Sequence, residues 1–255
     1  MEHINVSPKS EPVGRFYDYE YFIRLEYRVF SGAHGSRVRN ILEALGDITG
    51  KKVLDVGAGG GAFSKLMSER GASVYAIDYS PDTVRFISER FPEVQAKELS
   101  IYDLNKFKEF KPDIITLFDV IEHLADQESA VRNCLALLKS GGRLIISTDA
   151  YRGPYSSKGL IRRVFYAFEH ISKQGIIYRG LKRAEKRHRL KKNYHLSHIG
   201  ELTSEALVDL VEHCGGKIVE HRIYPLVGSS LRDFVLQLFP KKYRGDHQCM
   251  IVEKV

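Results

Sequence analysis

The segment Val53-Leu-Asp-Val-Gly-Ala-Gly-Gly-Gly-Ala-Phe-Ser64 constrains this chain more than any other. A short apolar run of strand character passes directly into glycines, and residues of helical pattern follow. Glycines at such a junction allow a tight turn and let a ligand approach the backbone closely, while the N-terminus of the helix favours negative charge. A chain with this junction is expected to be an α/β protein with a cofactor site at the turn. Glycine spacing alone also admits a dinucleotide. Asp55, two residues before Gly57, reads as a free carboxylate that suits a cationic ligand better than a pyrophosphate. Asp78 ends the next strand-like run, 23 residues after Asp55, where a carboxylate can accept both hydroxyls of a ribose.

The rest of the pattern agrees. Short apolar runs at 53–56, 73–78, 113–119 and 143–148 alternate with helical stretches, which predicts βαβ units and a largely parallel sheet covered on both faces. Val38, Ile41, Leu42 and Leu45 lie at helical spacing ahead of the first strand, a helix is expected over 204–214, and strands near 218–224 and 248–252 close the chain. With 255 residues, 43% of them apolar, the chain can bury one large core. No apolar run reaches about 18 residues and the N-terminus lacks a secretory layout, so a soluble cytoplasmic protein is expected, possible membrane contact being peripheral. Cys134, Cys214 and Cys249 are too widely spaced for a CxxC pair and read as buried thiols.

Charge is concentrated. Between Lys158 and Lys192 stand twelve Lys/Arg against Glu169 and Glu185, whereas the whole chain carries only +7, so the remainder is net negative. Leu160, Ile161, Val164, Phe165, Phe168 and Ile171 share one face of a helix within this segment. It reads as a basic helical insertion, either a solvated appendage or a docking surface for an anionic partner: a membrane, RNA or a phosphorylated acceptor. Tyr17, Tyr19, Tyr21, Phe22, Tyr27 and Phe30 form an aromatic N-terminal stretch, either plain packing or the wall of an acceptor pocket.

Together, DVGAGGG, AIDYS and LKSGGRLIIS resemble the class I S-adenosylmethionine-dependent methyltransferases over about residues 37–150. That resemblance implies a Rossmann-like seven-stranded mostly parallel sheet with S-adenosylmethionine as cofactor and S-adenosylhomocysteine as product. Gly57, Ala58, Gly59 and Gly61 would shape the pocket, Asp78 would bind the ribose with Tyr79 beside it, Asp55 would lie near the amino-acid part, and Asp119 is a further cofactor-binding candidate. Adenine would be met by Asp103 with Leu104, or by Ser100 with Ile101. The implied division is 1–36 for the tail and aromatic cap, 37–150 for the cofactor-binding core, 151–196 for the insertion and 197–255 for the end of the core.

Asp119-Val-Ile-Glu122-His123 resembles the ExxEH of ubiquinone-pathway O-methyltransferases and of small-RNA 2′-O-methyltransferases, with Asp in place of the first Glu. By that resemblance Glu122, His123 and His198, from HLSHIGELTSEAL (which also holds His195), are candidate catalytic residues. Asp119, Glu122, His123 and His198 are a candidate divalent-metal set. The alternative is a metal-free site in which His123 positions or deprotonates the acceptor. O-methylation of a small-molecule or lipid-linked acceptor is the leading expectation. An RNA 2′-O-methyltransferase using a metal, or a non-catalytic S-adenosylmethionine-binding protein, are the alternatives.

Overall fold

The computed structural model describes residues 22, 23, 26, 29, 30, 35–150, 202–224 and 247–255. Its elements run α1 (Gly35–Leu45), β1 (Lys52–Val56), α2 (Ala62–Glu69), β2 (Ser73–Asp78), α3 (Pro81–Arg90), β3 (Gln95–Glu98), a 3-10 segment (Ile101–Phe107), β4 (Ile114–Phe118), a 3-10 turn (Ile121–His123), α4 (Gln127–Leu137), β5 (Arg143–Asp149), α5 (Ser204–His213), β6 (Gly216–Tyr224) and β7 (His247–Lys254). Residues 22, 23, 26, 29 and 30 are helical.

The seven strands form one sheet in the order β3-β2-β1-β4-β5-β7-β6. Pairing is parallel from β3 to β5, and β7 is antiparallel to both β5 and β6. This is a Rossmann-like, mostly parallel sheet. Its alternating residues feed two cores. Leu54, Leu117, Leu144, Ile146 and Met250 pack beneath Val131 and Cys134 of α4 and Leu207 and Val211 of α5. Val53, Val74, Ala76, Ile145 and Ile251 pack on the opposite face with Ile41 and Leu45 of α1, Met67 and Ile87. Because β4 is covered on both sides, all five of its residues are buried, which is why it reads as an unbroken apolar run.

The starts of α3, α4 and α5 are set by side-chain caps. Ser80 accepts from the Thr83 amide ahead of Pro81, Asp126 accepts from Ser129, and Thr203 accepts from Ala206. Strand β3, QAKE, carries no apolar stripe because it is an edge strand of mainly exposed residues, so its position is not visible as periodicity. The chain reverses direction of strand addition between β1 and β4, and the crevice outside the carboxyl ends of these two strands is the switch point where open α/β sheets receive ligands. The basic insertion at 151–196, with His195 and His198 beside its end, and Tyr17, Tyr19, Tyr21 and Tyr27 lie outside the described residues. Among the described residues no helix is long and apolar enough to cross a membrane. Cys134, Cys214 and Cys249 are buried free thiols.

Candidate cofactor and acceptor site

The glycine loop leaves β1 at the switch point. Gly57 and Ala58 donate their amides to the Ile77 carbonyl at 2.8 and 3.1 Å, tying the loop to β2. Gly57 has φ +69°, and a Cβ there would stand 2.6 Å from Val120 Cγ2. Gly59 has φ +52° with open space where a Cβ would go, so its backbone is available for close approach by a ligand. Gly61 caps α2 with φ 72°. Phe22 roofs the same loop: it is buried, its ring centroid lies 5.1 Å from that of Phe86, and it would crowd a Cβ at Gly60 to 3.0 Å. Phe22 of the aromatic stretch is thus a packing residue, whereas Phe30 is exposed.

Asp78 lies at the end of β2 beside this loop. Its carboxylate accepts from the Gly59 amide at 3.1 Å and from the Ser80 amide at 3.0 Å. Burial pushes its pKa up to about 6, opposed by these two amide donors. The cap of α3 is Ser80, so Asp78 is not held there as a helix cap. Tyr79, next in sequence, is substantially exposed.

Two expected contacts, those of Asp55 and Leu104, differ from the sequence reading. Asp55 is not a free carboxylate: it is 2% exposed and accepts from Ser64 Oγ at 2.5 Å and Thr116 Oγ1 at 2.6 Å. It braces the loop from below, and burial raises its pKa. Leu104 is fully buried in the core and presents no surface to an adenine. Asp103, one turn along the 3-10 segment, pairs with Lys106 at 3.1 Å. The chain next to Asp78 is instead Leu99, whose amide meets the Asp78 carbonyl at 2.9 Å, followed by Ser100 and Ile101.

Glu122 is 2% exposed and accepts from Thr148 Oγ1 at 2.8 Å. Desolvation and the neighbouring charge of Asp119 raise its pKa well above the usual carboxylate range. His123 is half-buried in the 3-10 turn after β4.

Asp119 follows β4 with φ 56°. Short polar side chains tolerate this left-handed backbone better than longer ones, a physical reason for Asp where the resembling motif has Glu. Its Oδ2 pairs with Arg37 Nη2 at 2.5 Å. Arg37 is 6% exposed, comes from α1 and lies 5.5 Å from the Phe63 ring. The Arg37 salt bridge on Asp119 and the Thr148 hydroxyl donated to the buried Glu122 engage the two carboxylates that a divalent cation would need. Among the described residues no group of three His, Cys, Asp or Glu side chains is arranged to hold one, and His198 lies outside them.

Two residues of this cluster escaped the sequence reading. Neither Arg37 nor His247 carries a motif that singles it out in the sequence. Only burial, invisible in composition, sets either apart.

A family model described as a methyltransferase domain matches residues 24–221. The chain is 34% identical over 116 residues to a ubiquinone biosynthesis O-methyltransferase of Alkalilimnicola ehrlichii, covering 44% of this chain and 47% of that protein. It is 38% identical over 106 residues to the protein of the same name from Xanthomonas oryzae pv. oryzae, covering 40% and 44%. The chain thus spans about half the length of these relatives. Among solved structures it resembles an S-adenosylmethionine-dependent methyltransferase from Archaeoglobus fulgidus with a TM-score of 0.59 at 15% identity, over 93% of this chain and 100% of that one. That likeness concerns the fold, whereas the family match covers most of the sequence. The chain belongs to the methyltransferase-domain family.

Proposed function

We propose that the protein is a metal-independent S-adenosylmethionine-dependent methyltransferase acting on a hydroxyl of a small or lipid-linked acceptor. The observation that carries the reading is the pairing of the Gly59 amide with the buried Asp78 carboxylate at the switch point of the sheet. Asp78 accepts from the ribose hydroxyls, and Gly57, Ala58, Gly59 and Gly61 shape the backbone beside them. Tyr79 covers the ribose side. Ser100 meets the adenine, with the half-exposed Asp103 as the alternative, since Ile101 and Leu104 are both buried in the core. Arg37 faces the carboxylate of the amino-acid part and Asp119 orients Arg37, a charge-assisted arrangement.

When bound, S-adenosylmethionine supplies a methyl group on a sulfonium that is already activated toward displacement. The protein's own contribution is proximity, orientation and a proton acceptor. His123, half-buried in the turn after β4, would take the proton of the acceptor hydroxyl, while the oxygen would bond to the methyl carbon as the carbon–sulfur bond breaks and S-adenosylhomocysteine leaves. Glu122 supports the turn that carries His123.

An oxygen acceptor is supported by the relatives named O-methyltransferases. A lipid-linked acceptor is supported by the concentration of positive charge at 158–192, suited to an anionic membrane surface. RNA remains the competing partner for that charge.

The test is incubation of the purified protein with methyl-labelled S-adenosylmethionine and separated lipid, small-metabolite, RNA and protein extracts, with and without chelator. Label in the lipid or small-metabolite fraction, unaffected by chelator, is expected. Label in RNA that disappears with chelator overturns both the acceptor and the metal-free chemistry. Tight binding without transfer into any fraction leaves a non-catalytic binding protein.

A further inference from the structure

His247 begins β7, opposite Asp149 of β5 in the antiparallel register. It is 1% exposed, so it cannot touch an acceptor. Both ring nitrogens are nevertheless engaged: Nδ1 lies 3.0 Å from Asp149 Oδ1 and Nε2 lies 3.0 Å from Ser147 Oγ. Nε2 is also 3.6 Å from Asp119 Oδ1, beyond hydrogen-bond length. The Tyr224 ring packs beside the imidazole, with centroids 5.6 Å apart.

These contacts converge on Asp119 from two directions. Its amide donates to the Ser147 carbonyl at 2.8 Å, and the Ser147 hydroxyl is in turn held by His247. Its Oδ1 is buried and accepts no hydrogen bond among the described residues, and the His247 imidazole lies 3.6 Å from it. Its Oδ2 is taken by Arg37. A non-glycine residue at φ 56° persists only where its surroundings over-determine it. His247 supplies part of that determination.

The geometry points to His247 as a positioning residue that fixes Asp119, and through Asp119 aims Arg37, for recognition of the cofactor's carboxylate. This rests on the reading of Arg37 given above. Without the imidazole, Ser147 loses the partner that orients its side chain, Asp119 gains freedom at Oδ1, and the Arg37 guanidinium loses its fixed direction. The loss is specific to ligands that carry the carboxylate.

The test compares calorimetric affinities for S-adenosylhomocysteine and for its decarboxylated analogue, in the native protein and in Arg37→Gln, His247→Ala, His247→Gln and Ser147→Ala. Arg37→Gln is expected to weaken S-adenosylhomocysteine by roughly ten- to a hundredfold, the range for a lost charged hydrogen bond, and the analogue by less than about twofold. His247→Ala is expected to reproduce that selectivity at roughly tenfold, and Ser147→Ala at a smaller factor. His247→Gln, whose amide can reach toward Ser147, should restore most of the loss. Equal weakening of both ligands by His247→Ala and Ser147→Ala, or no weakening by either, overturns the proposal while a selective Arg37→Gln leaves the Arg37 reading intact. A non-selective Arg37→Gln overturns both. Should His247→Ala not fold, the nearly isosteric Ser147→Ala and His247→Gln decide.

Discussion

Asp78 is a carboxyl held against its own ionisation, with burial raising its pKa to about 6 and the Ser80 and Gly59 amides partly offsetting that rise. A ribose donates to the ionised form, so protonation competes with the cofactor. Affinity should therefore be flat above about pH 7 and fall as pH drops through 6, by roughly tenfold at pH 5. Calorimetric titration with S-adenosylhomocysteine from pH 8 to pH 5 measures this, and Asp78→Asn should bind weakly with no such slope. A native protein whose affinity stays level across that range removes Asp78 from the ribose. At this scale the sequence was legible where placement follows from position in a motif, as with Gly57 and Gly59 in the turn after β1 and Asp78 at the end of β2. It was misleading at Asp55 and Leu104, because the motif locates a residue along a strand or turn but not the depth of its side chain. Ser64 and Thr116 close off Asp55 from opposite sides, and neither is marked by the glycine pattern.

Between elements, the roof of the cofactor loop is the interaction most open to test. Phe22 is 4% exposed against Gly60 and Phe86, while Glu26 pairs with Arg90 at 3.0 Å across the same contact, the Arg90 side chain being 48% exposed. Buried aromatic area outweighs a solvent-facing ion pair. Phe22→Ala should cost about 3 kcal/mol, and Glu26→Gln less than about 1 kcal/mol. Urea denaturation of the ligand-free protein separates the two, and equal costs would mean that the N-terminal residues are held by charge. Elements with an apolar stripe were found from periodicity: β6 and β7 extend the expected 218–224 and 248–252 by a few residues, and α5 ends at His213. Strand β3 escaped that reading because an exposed edge needs no apolar face.

For the whole molecule, a ligand that binds only the folded chain stabilises it by mass action. S-adenosylhomocysteine at a hundredfold excess over its Kd should contribute about 2.7 kcal/mol, or a rise in Tm of roughly 5 to 10 °C for a chain of this size. Differential scanning fluorimetry reads the shift, and adenosine alone should produce a smaller one because it lacks the group that Arg37 recognises. No shift with S-adenosylhomocysteine would sink the cofactor assignment itself. The sequence by itself determined the α/β alternation, the glycine junction and the acid at the end of β2, since each depends on local periodicity or on backbone freedom at a single turn. Only the tertiary structure decided that β7 runs antiparallel between β5 and β6, which sets His247 against Ser147, 100 residues away in the chain. It also decided that Arg37 of α1 reaches Asp119. The physical reason is that burial and charge pairing are properties of packed elements, and no local pattern records which distant side chain will neutralise a given carboxylate.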